Sequence, residues 1–503
     1  MVAKAKRNPA SARLSLTNSR THPATIPPTS NVNCSKGVCT ATAKKAVLNI
    51  GDLTGLLGAG NLKVASGDSA EDIRVDASFG WSNASVLTLD AARSVTVNHT
   101  MKIQGSGGLG VITNDGGIDG LFSFGTKGRV AFSHLASVLT INGQDYTLVG
   151  KISTLAADIA EDPGGNFALA SNYDASRDGT YSAPPISTIF DGTFEGLGNT
   201  ISNLSIDDPN GTEVGLFAEV GSSGTLADIR LVNANVVSNA ISDATPTGAL
   251  VGLSEGTIQG VTATGSVSGS AQNYPLVGGL AGESMGSIIY SHSAATVTAG
   301  VSGSVGGLVG FVEGGTLYAS SATGNVTGGQ GSDAGGLAGD NTGQIRQCFA
   351  TGAVASEVES KTGGLVGYDS GPVNDSYATG AASQAKSLGY VGGLVGFFQP
   401  DGTSLLTRNY STGTADGGNL TGGFVGDDNS SGTNLAFNYW DTTTSGVGTA
   451  NGAGNVQNDA GIKGLTSHQL QTRLPHGFHR STWQQDSGIN QGFPYLRVNP
   501  PVQ

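Results

Sequence analysis

The stretch that decides the fold runs from Gly248 to Gly426, where one short phrase returns seven times. The copies are GALVG at Gly248, GGLAG at Gly278, GGLVG at Gly306, GGLAG at Gly335, GGLVG at Gly363, GGLVG at Gly392 and GGFVG at Gly422. Consecutive copies start 28 to 30 residues apart. A fixed period of this size is typical of a solenoid, in which one supersecondary unit is repeated along an axis.

Each repeat contains three short apolar runs, clearest in the copy at Gly363, which reads GGLVG, then GPV, then SYATG. Runs of two to five residues are too short to form a helix with its own apolar stripe. The glycines between them allow positive φ and sharp corners. The pattern predicts one coil of a parallel β-helix per repeat, with strands about 4.8 Å apart, so that seven coils cover roughly 30 Å.

Alignment of the repeats predicts columns of inward-facing apolar side chains, one from each coil. The first column is Leu250, Leu280, Leu308, Leu337, Leu365, Leu394 and Phe424, and the second is Val251, Ala281, Val309, Ala338, Val366, Val395 and Val425. The third is Ile258, Ile288, Leu317, Ile345, Val373 and Leu406, and an aromatic column follows at Phe349, Tyr377, Tyr410 and Tyr439. No single coil can bury its apolar face, so neighbouring coils must stabilise one another.

Composition narrows the class of protein. The 503 residues include 80 glycines, about 16% against a usual 7%, which fits turn-dense β structure. The net charge of −13 disfavours nucleic acid and anionic membrane surfaces as partners. No run approaches 18 apolar residues, so we expect no membrane-spanning helix. The basic start, MVAKAKRNPASAR, lacks the apolar stretch of a recognisable secretory signal.

Changes of pattern divide the chain into five segments. Residues 1–46 are polar and predict a disordered lead-in. Residues 47–145 predict a first β-helix section, and residues 146–206 an insert and re-entry segment. In that insert we expect a helix near Ser153–Ala160, with Ser153 as its N-cap, packed on the side of the rod. Residues 207–442 form the repeat array. Residues 443–503 predict a capping tail with a helix over Ser467–Leu474.

The cysteines suggest structural roles. Cys34 and Cys39 lie close together in CSKGVC, a spacing compatible with a small disulfide loop in an oxidising compartment. A metal site there would need further ligands, which the neighbouring sequence does not supply. Cys348 occupies a position where other repeats have Ser320, Ser376 and Asn409, so we interpret it as a packing variant.

Three sets of residues are candidate chemical sites. Gly-x-Ser-x-Gly occurs around Ser254 and Ser284, but both serines fall at the same place in successive repeats, without the strand–turn–helix context of a nucleophile. Glycoside hydrolysis needs two carboxyl groups at a defined separation, for which the candidates are Asp427 with Asp428 and Asp207 with Asp208. His476 and His479 in HGFH are flanked by Pro475 and Gly477, against a metal-binding helix. We therefore predict no enzyme, no metal and no cofactor.

The sequence resembles a known family in two blocks. Residues 47–145, with DLTGLLGAGN, VLTLDA and LTINGQDYTLV, look like the passenger region of filamentous-haemagglutinin-like adhesins, exported by two-partner secretion in Gram-negative bacteria. FDGTFEGLGNTISNLSI, followed by the GGLVG array, looks like the GLUG-motif repeats of the same surface proteins. The resemblance covers roughly residues 35–500.

The resemblance implies a right-handed parallel β-helix that is secreted or exposed on the cell surface of a Gram-negative bacterium. It implies a non-enzymatic adhesin segment that attaches to host, matrix or other cells through an unknown glycan or protein ligand. An outer-membrane secretion partner would export it. The alternatives are a self-associating rod of the biofilm matrix and a polysaccharide-active β-helix enzyme.

Variable segments predict where a ligand would bind. They separate each SYATG-type strand from the next GG, and are Ser268–Val277, Thr298–Val305, Thr327–Ala334, Ala355–Thr362, Ser383–Val391 and Ala415–Thr421. Insertions at one point of a coil map to one edge of a solenoid, and variable loops on a rigid scaffold commonly carry recognition. Their charged residues, including Glu357, Glu359, Lys361 and Lys386, are ones a core cannot use.

Overall fold

The computed structural model describes residues 12–17, 28–117, 119–240, 244–271, 274–385, 388–402, 404–430 and 434–501. These residues form a parallel β-solenoid of about 14 turns, with three short α-helices. The predicted fold class is confirmed. Each repeat is one coil. In the coil that begins at Ser304, strands run Ser304–Gly306, Val309–Val312, Thr316–Tyr318, Ser321–Ala322 and Val326–Gly328.

Stacking of equivalent strands produces four sheets in the repeat array, which we name I to IV in the order the chain visits them. Sheet I contains Pro246–Gly248, Leu276–Gly278, Ser304–Gly306, Asp333–Gly335, Lys361–Gly363, Tyr390–Gly392 and Leu420–Gly422. Sheet II contains Phe217–Val220, Val251–Ser254, Ala281–Ser284, Val309–Val312, Ala338–Asn341, Val366–Asp369, Val395–Phe398 and Val425–Asp428.

The other two sheets extend beyond the regular repeats. Sheet III contains Thr147–Val149, Asn166–Leu169, Thr193–Glu195, Thr225–Ala227, Thr257–Gln259, Ser287–Ile289, Thr316–Tyr318, Gln344–Arg346, Val373–Asn374, Leu406–Thr407 and Leu435–Ala436. Sheet IV contains Tyr173–Asp174, Thr180–Tyr181, Thr200–Ser202, Ser205–Asp208, Arg230–Ser238, Thr262–Ser268, His292–Ser293, Thr296–Thr298, Ser321–Ala322, Val326–Gly328, Phe349–Ala350, Val354–Ser356, Tyr377–Ala378, Ala382–Gln384, Tyr410–Ser411, Ala415–Asp416, Asn438–Asp441 and Ile462–Leu465.

The three predicted apolar columns lie inside the rod. Every member of the leucine, valine–alanine and isoleucine–leucine columns has no exposed surface and belongs to one core cluster. Backbone hydrogen bonds join the leucine column coil by coil, from Leu308 N to Leu337 O at 2.9 Å and from Leu337 N to Leu365 O at 2.8 Å. The repeat period therefore fixes the register of the core.

The paired glycines have a steric role that differs from the one we expected. None of the GG residues has a positive φ. A Cβ atom on Gly306 would lie 2.0 Å from the carbonyl oxygen of Val309, and one on Gly307 would lie 2.2 Å from that of Gly336. These glycines allow the backbone of one coil to approach its own corner and the next coil.

The positive-φ corner lies elsewhere, between sheets III and IV, and is formed mainly by residues other than glycine. The corner residues are Tyr290, Ala319, Gln347, Asp375, Arg408 and Phe437, with φ between 49° and 58°. Left-handed backbone conformations are uncommon in residues with a Cβ, so the surrounding ladder must hold these residues in place.

A buried polar ladder follows that corner and explains Cys348. The backbone N–H of Ser291 donates to Ser320 Oγ at 3.1 Å, that of Cys348 to Ser376 Oγ at 3.1 Å, and that of Ser376 to Asn409 Oδ1 at 2.8 Å. Cys348 Sγ in turn lies 3.3 Å from the carbonyl oxygen of Arg346. The thiol is buried, and burial raises its pKa to about 12, so Cys348 is a packing residue as predicted.

The aromatic column, in contrast, faces outward from sheet IV. Phe349, Tyr377, Tyr410 and Tyr439 belong to a separate cluster with residues of the C-terminal tail. The Trp483 ring lies 6.1 Å from Tyr377 and 5.8 Å from Tyr410. These tyrosines are buried by the tail, and they do not line the interior of the coil.

The tail covers the side of the rod as well as its end. Tyr410 donates to the Pro494 carbonyl oxygen at 2.5 Å, and Asn499 Nδ2 donates to the Ser320 carbonyl oxygen at 3.0 Å, several coils back. The end itself is closed by Trp440, Ala453 and Ile462, which join the main core.

The tail also contains its own short elements. They are helix Ser467–Thr472, strands Trp483–Gln484 and Tyr495–Leu496, and a 3-10 turn at Asn490–Gly492. Thr466 caps the helix, with Gln469 completing a capping box.

The first section is built from its own three sheets. One contains Phe122–Phe124, Val95–Val97, Asp72–Val75, Arg13–Thr17 and Lys45–Asn49, and a second contains Arg129–Phe132, Thr100–Ile103 and Phe79–Trp81. The third contains Gln144–Asp145, Leu139–Ile141, Gly108–Ile112, Val86–Asp90, Leu62–Ala65, Val38–Ala41 and Val32–Ser35.

The prediction of a disordered lead-in is wrong for the described residues between 12 and 46; residues 1–11 and 18–27 lie outside the description. Strand Arg13–Thr17 is inserted between Lys45–Asn49 and Asp72–Val75, and buries Leu14 and Leu16. A hairpin of Val32–Ser35 with Val38–Ala41 contains the disulfide between Cys34 and Cys39. Alternating apolar residues and the cross-link order a stretch whose average composition is polar.

Helix α1, Ile50–Ala59, covers the start of the first core with Leu53 and Leu57. Its N-cap is Asn49, whose side chain accepts a hydrogen bond from the Gly51 N–H at 2.7 Å.

Helix α2, Ile152–Glu161, lies where the insert was predicted, but two details differ. Ser153 is inside the helix, and the N-cap is Lys151, which makes no side-chain capping bond. Its apolar face, Ile152, Leu155 and Ile159, belongs to the main core and covers the beginning of the array instead of packing on the rod's side. The apolar spacing of the helix decides this placement.

The two sections meet through direct polar contacts. Arg230 Nη2 donates to the carbonyl oxygens of Gly125 and Gly128 at 2.7 and 2.9 Å. Asn199 Nδ2 donates to the carbonyl oxygens of Val130 and Leu169 at 2.7 and 3.0 Å. The second core begins at Val149, whereas the first core extends through Leu148, Ala168 and Ala170 to Leu197, so the two cores overlap in sequence.

Two buried carboxyl groups lie beside this junction. Burial raises the pKa of Glu195 to about 8. Burial and the charge of Glu195 also raise the pKa of Asp228, which Arg230 partly opposes. Protonation of these groups therefore favours the folded chain.

We expect the close approach at the paired glycines to be essential for stability. Gly336→Ala should lower the free energy of unfolding by about 1–3 kcal/mol or more, because its Cβ would lie 2.2 Å from the Gly364 carbonyl oxygen. Gly448→Ala is the matched control, since no atom lies within 4 Å of its added Cβ. Urea melts of both variants measure the difference, and equal stability would contradict the steric role.

We expect the free energy of unfolding to fall as the pH rises from 4.5 to about 8, because the buried Glu195 at the junction titrates in this range. An unfolded Glu195 would titrate near its ordinary pKa of 4.5, whereas the folded residue titrates at about 8. The folded state therefore binds more protons between these values, and the stabilisation present below pH 4.5 is lost as pH rises to about 8.

Glu195→Gln should make this dependence shallower, and Glu195→Gln with Asp228→Asn should flatten it further. Denaturant melts at intervals from pH 5 to pH 9 provide the measurement. An unchanged slope in the double variant would show that other groups cause the dependence.

Candidate functional site

The variable segments lie on one edge of the rod, which we call the loop edge, between sheets IV and I. They stack coil on coil: Ser302 N donates to Gln330 O at 2.7 Å, and Gly331 N to Val358 O at 2.9 Å. Residues 272–273 and 386–387, and with them Lys386, lie outside the described residues. The single-edge geometry matches the expectation from the repeat alignment.

Serines buried beneath the loop edge hold its shape. Ser332 N donates to Ser360 Oγ at 3.2 Å, and both hydroxyl groups donate to the Gly329 carbonyl oxygen. Other described residues of the loop edge are exposed and apolar: Tyr274 and Leu388 are each 61% exposed, and Val301 is 41% exposed. The described part of the edge therefore combines hydrogen-bonded coils with exposed apolar side chains.

A second feature runs parallel to the loop edge, where sheets I and II meet at a corner. Side chains from the first position of each sheet I strand face those from the third position of each sheet II strand. We call these two columns the corner strip. They are Pro246, Leu276, Ser304, Asp333, Lys361, Tyr390 and Leu420 in sheet I, and Glu219, Leu253, Glu283, Phe311, Asp340, Tyr368, Phe397 and Asp427 in sheet II.

Lys361 occupies the centre of the strip's C-terminal half. Its Nζ lies 2.8 and 3.0 Å from the two carboxylate oxygens of Asp333. The same ammonium lies 4.7 Å from the ring centroid of Tyr368 and 5.9 Å from that of Phe397. Those two rings stack at 5.5 Å. Lys361 is thus part of a strand and an ion pair, although the sequence placed it in a variable segment.

The other half of the strip is acidic. Burial, a hydrogen bond with Glu313 and the charge of Glu313 raise the pKa of Glu283 to about 7. Burial, then the charge of Asp333, raises the pKa of Asp340 to about 7. Glu219 also has a raised pKa, through burial and then Glu213, Glu255 and Asp191. Carboxylates here are crowded and partly desolvated.

Sequence reasoning did not single out the corner strip. The signal was present, because the residue that follows GGLVG varies among Leu, Glu, Phe, Asp and Tyr while the phrase itself hardly changes. A variable position inside a constant phrase indicates an outward-facing side chain free of core constraints.

The structure separates the residues considered for catalysis. Ser254 and Ser284 are at the ends of sheet II strands, facing inward and fully buried. Asp427 faces outward whereas Asp428 is buried, where it accepts a hydrogen bond from the Ser430 N–H. Successive residues on a strand point to opposite faces, so the two carboxyl groups do not form a pair.

Asp207 and Asp208 diverge in the same way. Asp207 accepts from Asn239 Nδ2 at 3.1 Å on the exposed face, and Asp208 accepts from the N–H groups of Asn210 and Gly211 on the buried face. The backbone carbonyl of His476 accepts from the Tyr439 hydroxyl, and that of His479 from the Trp483 N–H. In the described part of the chain, no cluster of three or more His, Cys, Asp or Glu residues could hold a metal ion.

A shallow cleft of about 360 Å³ lies near the 164–190 loop. Its lining includes Lys151, Asn172, Tyr173, Asp174 and Arg177. Asp174 is hydrogen-bonded to Asn203 and Ser176, which lowers its pKa. The carboxyl of Asp178 accepts from Tyr173 and Tyr181.

These features define a parallel β-helix repeat protein whose surface has two continuous features, the loop edge and the corner strip. No helix among the described residues has the length and apolarity required to cross a membrane.

Comparison with known proteins gives one informative match. The chain is 33% identical over 266 residues to halomucin from Haloquadratum walsbyi (strain DSM 16790 / HBSQ001). The aligned part is 50% of this chain and 3% of halomucin. No protein-family model matches the chain, and no solved structure matches it. The resemblance to filamentous-haemagglutinin-like adhesins with GLUG repeats therefore stays a prediction.

The Lys361–Asp333 pair should contribute to the stability of the array. Lys361→Ala would leave a largely buried carboxylate without its partner, at a cost of about 1–3 kcal/mol. Asp333→Ala in the same background should recover part of that loss, since no unpaired carboxylate remains. Urea melts of the two single variants and the double variant test this, and purely additive effects would argue against coupling.

Proposed function

We propose that this protein is a secreted or surface-exposed rod that mediates attachment, with its ligand bound along the loop edge. The similarity to halomucin supports a surface location. The observation that carries the proposal is the exposure of three apolar side chains, Tyr274, Val301 and Leu388, in the loop-edge segments of three different coils.

Physical reasons favour this edge for recognition. Exposed apolar groups that recur along one side of a soluble protein are typical of interaction sites. Hydrogen bonds of the buried Ser332 and Ser360 fix the two coils that lie between those of Val301 and Leu388, so a ligand would order few additional backbone groups there on binding. Exposed apolar side chains on more than one coil would increase avidity for a repetitive glycan or matrix protein.

A non-enzymatic role is part of the proposal. The two carboxylate pairs considered from the sequence point to opposite faces of their strands, and both candidate serines are buried. We also propose that the protein uses no cofactor and binds no nucleic acid. Export through an outer-membrane partner, in a Gram-negative bacterium, would follow if the chain is a two-partner secretion adhesin.

A binding array tests the proposed function. The purified chain is applied to immobilised glycans and matrix proteins, and compared with a variant that carries Tyr274→Ser, Val301→Ser and Leu388→Ser. We expect the variant to lose most binding while its melting temperature changes little, because all three side chains are exposed.

The matched control removes three exposed apolar side chains away from the loop edge, through Met285→Ser, Leu405→Ser and Val456→Ser. This control should bind like the unmodified chain. Full binding by the loop-edge variant would show that the ligand binds outside the loop edge. Equal losses of binding in both variants would indicate nonspecific adsorption.

A further inference from the structure

A cleft of about 430 Å³ lies between the last strands of sheet IV and the C-terminal tail, and we call it the tail cleft. Its volume falls within the range of about 300–1,000 Å³ that is usual for small-molecule sites. The lining includes Tyr439, Lys463, Leu465, Arg473, Leu474 and His476.

Three separate segments bring basic side chains to the tail cleft. Lys463 lies in the last strand of sheet IV, in register with Tyr439. Arg473 directly follows the helix of the tail, and His476 belongs to the HGFH segment. All three basic residues are exposed. Folding therefore gathers two permanent cations and an imidazole around one cavity.

The tail cleft is positive although the whole chain has a net charge of −13. Residues 460–485 contain three Lys or Arg residues and no Asp or Glu. The ion pairs of the described residues include neither Lys463 nor Arg473. Asp441, which is in register with Leu465, is buried and accepts a hydrogen bond from Ser467 Oγ at 2.5 Å. The two cations are thus available to an external anion.

Contacts within the chain fix the wall of the cleft at His476. The Tyr439 hydroxyl donates to the carbonyl oxygen of His476 at 2.7 Å, and the centroid of the His476 ring lies 5.4 Å from that of Phe437. Gly477 has a φ of 87°, and a Cβ atom there would lie 2.6 Å from the Phe437 ring. Because the wall is already in place, a ligand would order few groups on binding.

Apolar side chains lie beside the cations. Leu465 and Leu474 line the cleft and pack against the aromatic cluster beneath the tail. A fitting ligand has a carboxylate and an apolar face on one compact unit. A uronic acid ring meets both requirements, because its C–H groups form an apolar face and its carboxylate suits the planar guanidinium of Arg473. The acidic side chains of a peptide lack such a face.

We propose that the tail cleft binds a uronic acid unit of an acidic polysaccharide. Lys463 and Arg473 hold the carboxylate, and the sugar ring lies against Leu465 and Leu474. The site uses no residue of the loop edge, so this inference does not rest on the proposed attachment through that edge.

Calorimetric titration of the full chain with trigalacturonic acid tests the inference, with the methyl ester of the same trisaccharide as the uncharged control. We expect the acid to bind at least tenfold more tightly than the ester. Lys463→Gln combined with Arg473→Gln should weaken binding of the acid at least tenfold and leave the melting temperature unchanged, because both side chains are exposed. No binding by the unmodified chain, or equal affinity for the ester, would overturn the proposal.

Lys102→Gln combined with Lys127→Gln provides the matched charge control, because it removes the same charge from exposed positions in the first section. This variant should bind trigalacturonic acid like the unmodified chain. Equal weakening by the two double variants would show that overall charge, and no defined site, attracts the sugar, which also contradicts the proposal.

Pentaglutamate distinguishes an acidic sugar from an acidic peptide. We expect it to bind at least tenfold more weakly than trigalacturonic acid, because its side chains have no ring to lie against Leu465 and Leu474. Equal or tighter binding of the peptide would show that the cleft recognises acidic peptides, and the assignment to a sugar would be wrong.

Discussion

The structure depends on how closely one coil can approach the next at the GG corner. A Cβ atom on Gly306 would lie 2.0 Å from the carbonyl oxygen of Val309, and a Cβ atom on Gly307 would lie 2.2 Å from that of Gly336. Only hydrogen fits there, so the two glycines allow sheets I and II to meet at a tight corner in every repeat. The parallel ladders, the inward columns and the outward corner strip all follow from that approach.

The same close approach determines which side-chain positions are restricted in residue type and which can vary. Positions in the three inward apolar columns must match the coil above and below, and they are Leu, Val, Ala or Ile apart from Phe424. Outward positions of the corner strip meet no such limit, and there the chain places Glu283, Phe311 and Lys361 at equivalent or neighbouring points. In a solenoid, recognition can evolve at these positions without disturbing the core.

The same distinction explains how much could be predicted from the sequence. The period and the apolar columns were predictable, because each repeat samples the same environment again. Ser153 was a wrong N-cap, since helix boundaries depend on backbone geometry that composition does not encode. The lead-in was misjudged because strand Arg13–Thr17 pairs with segments distant in sequence. The corner strip was missed because facing columns from two sheets become neighbours only after folding.

The aromatic column shows most clearly that the residue type at a position of the repeat also depends on what packs against the coil there. At this outward position of sheet IV, the earlier coils have Thr262, His292 and Ser321, and the later coils have Phe349, Tyr377, Tyr410 and Tyr439. The change from polar to aromatic occurs where the C-terminal tail begins to cover the sheet, and Asn499 contacts Ser320 at that limit. The tyrosine of SYATG therefore belongs to the contact with the tail and is not a requirement of the coil. A position that varies in blocks along a solenoid indicates the extent of whatever packs against it.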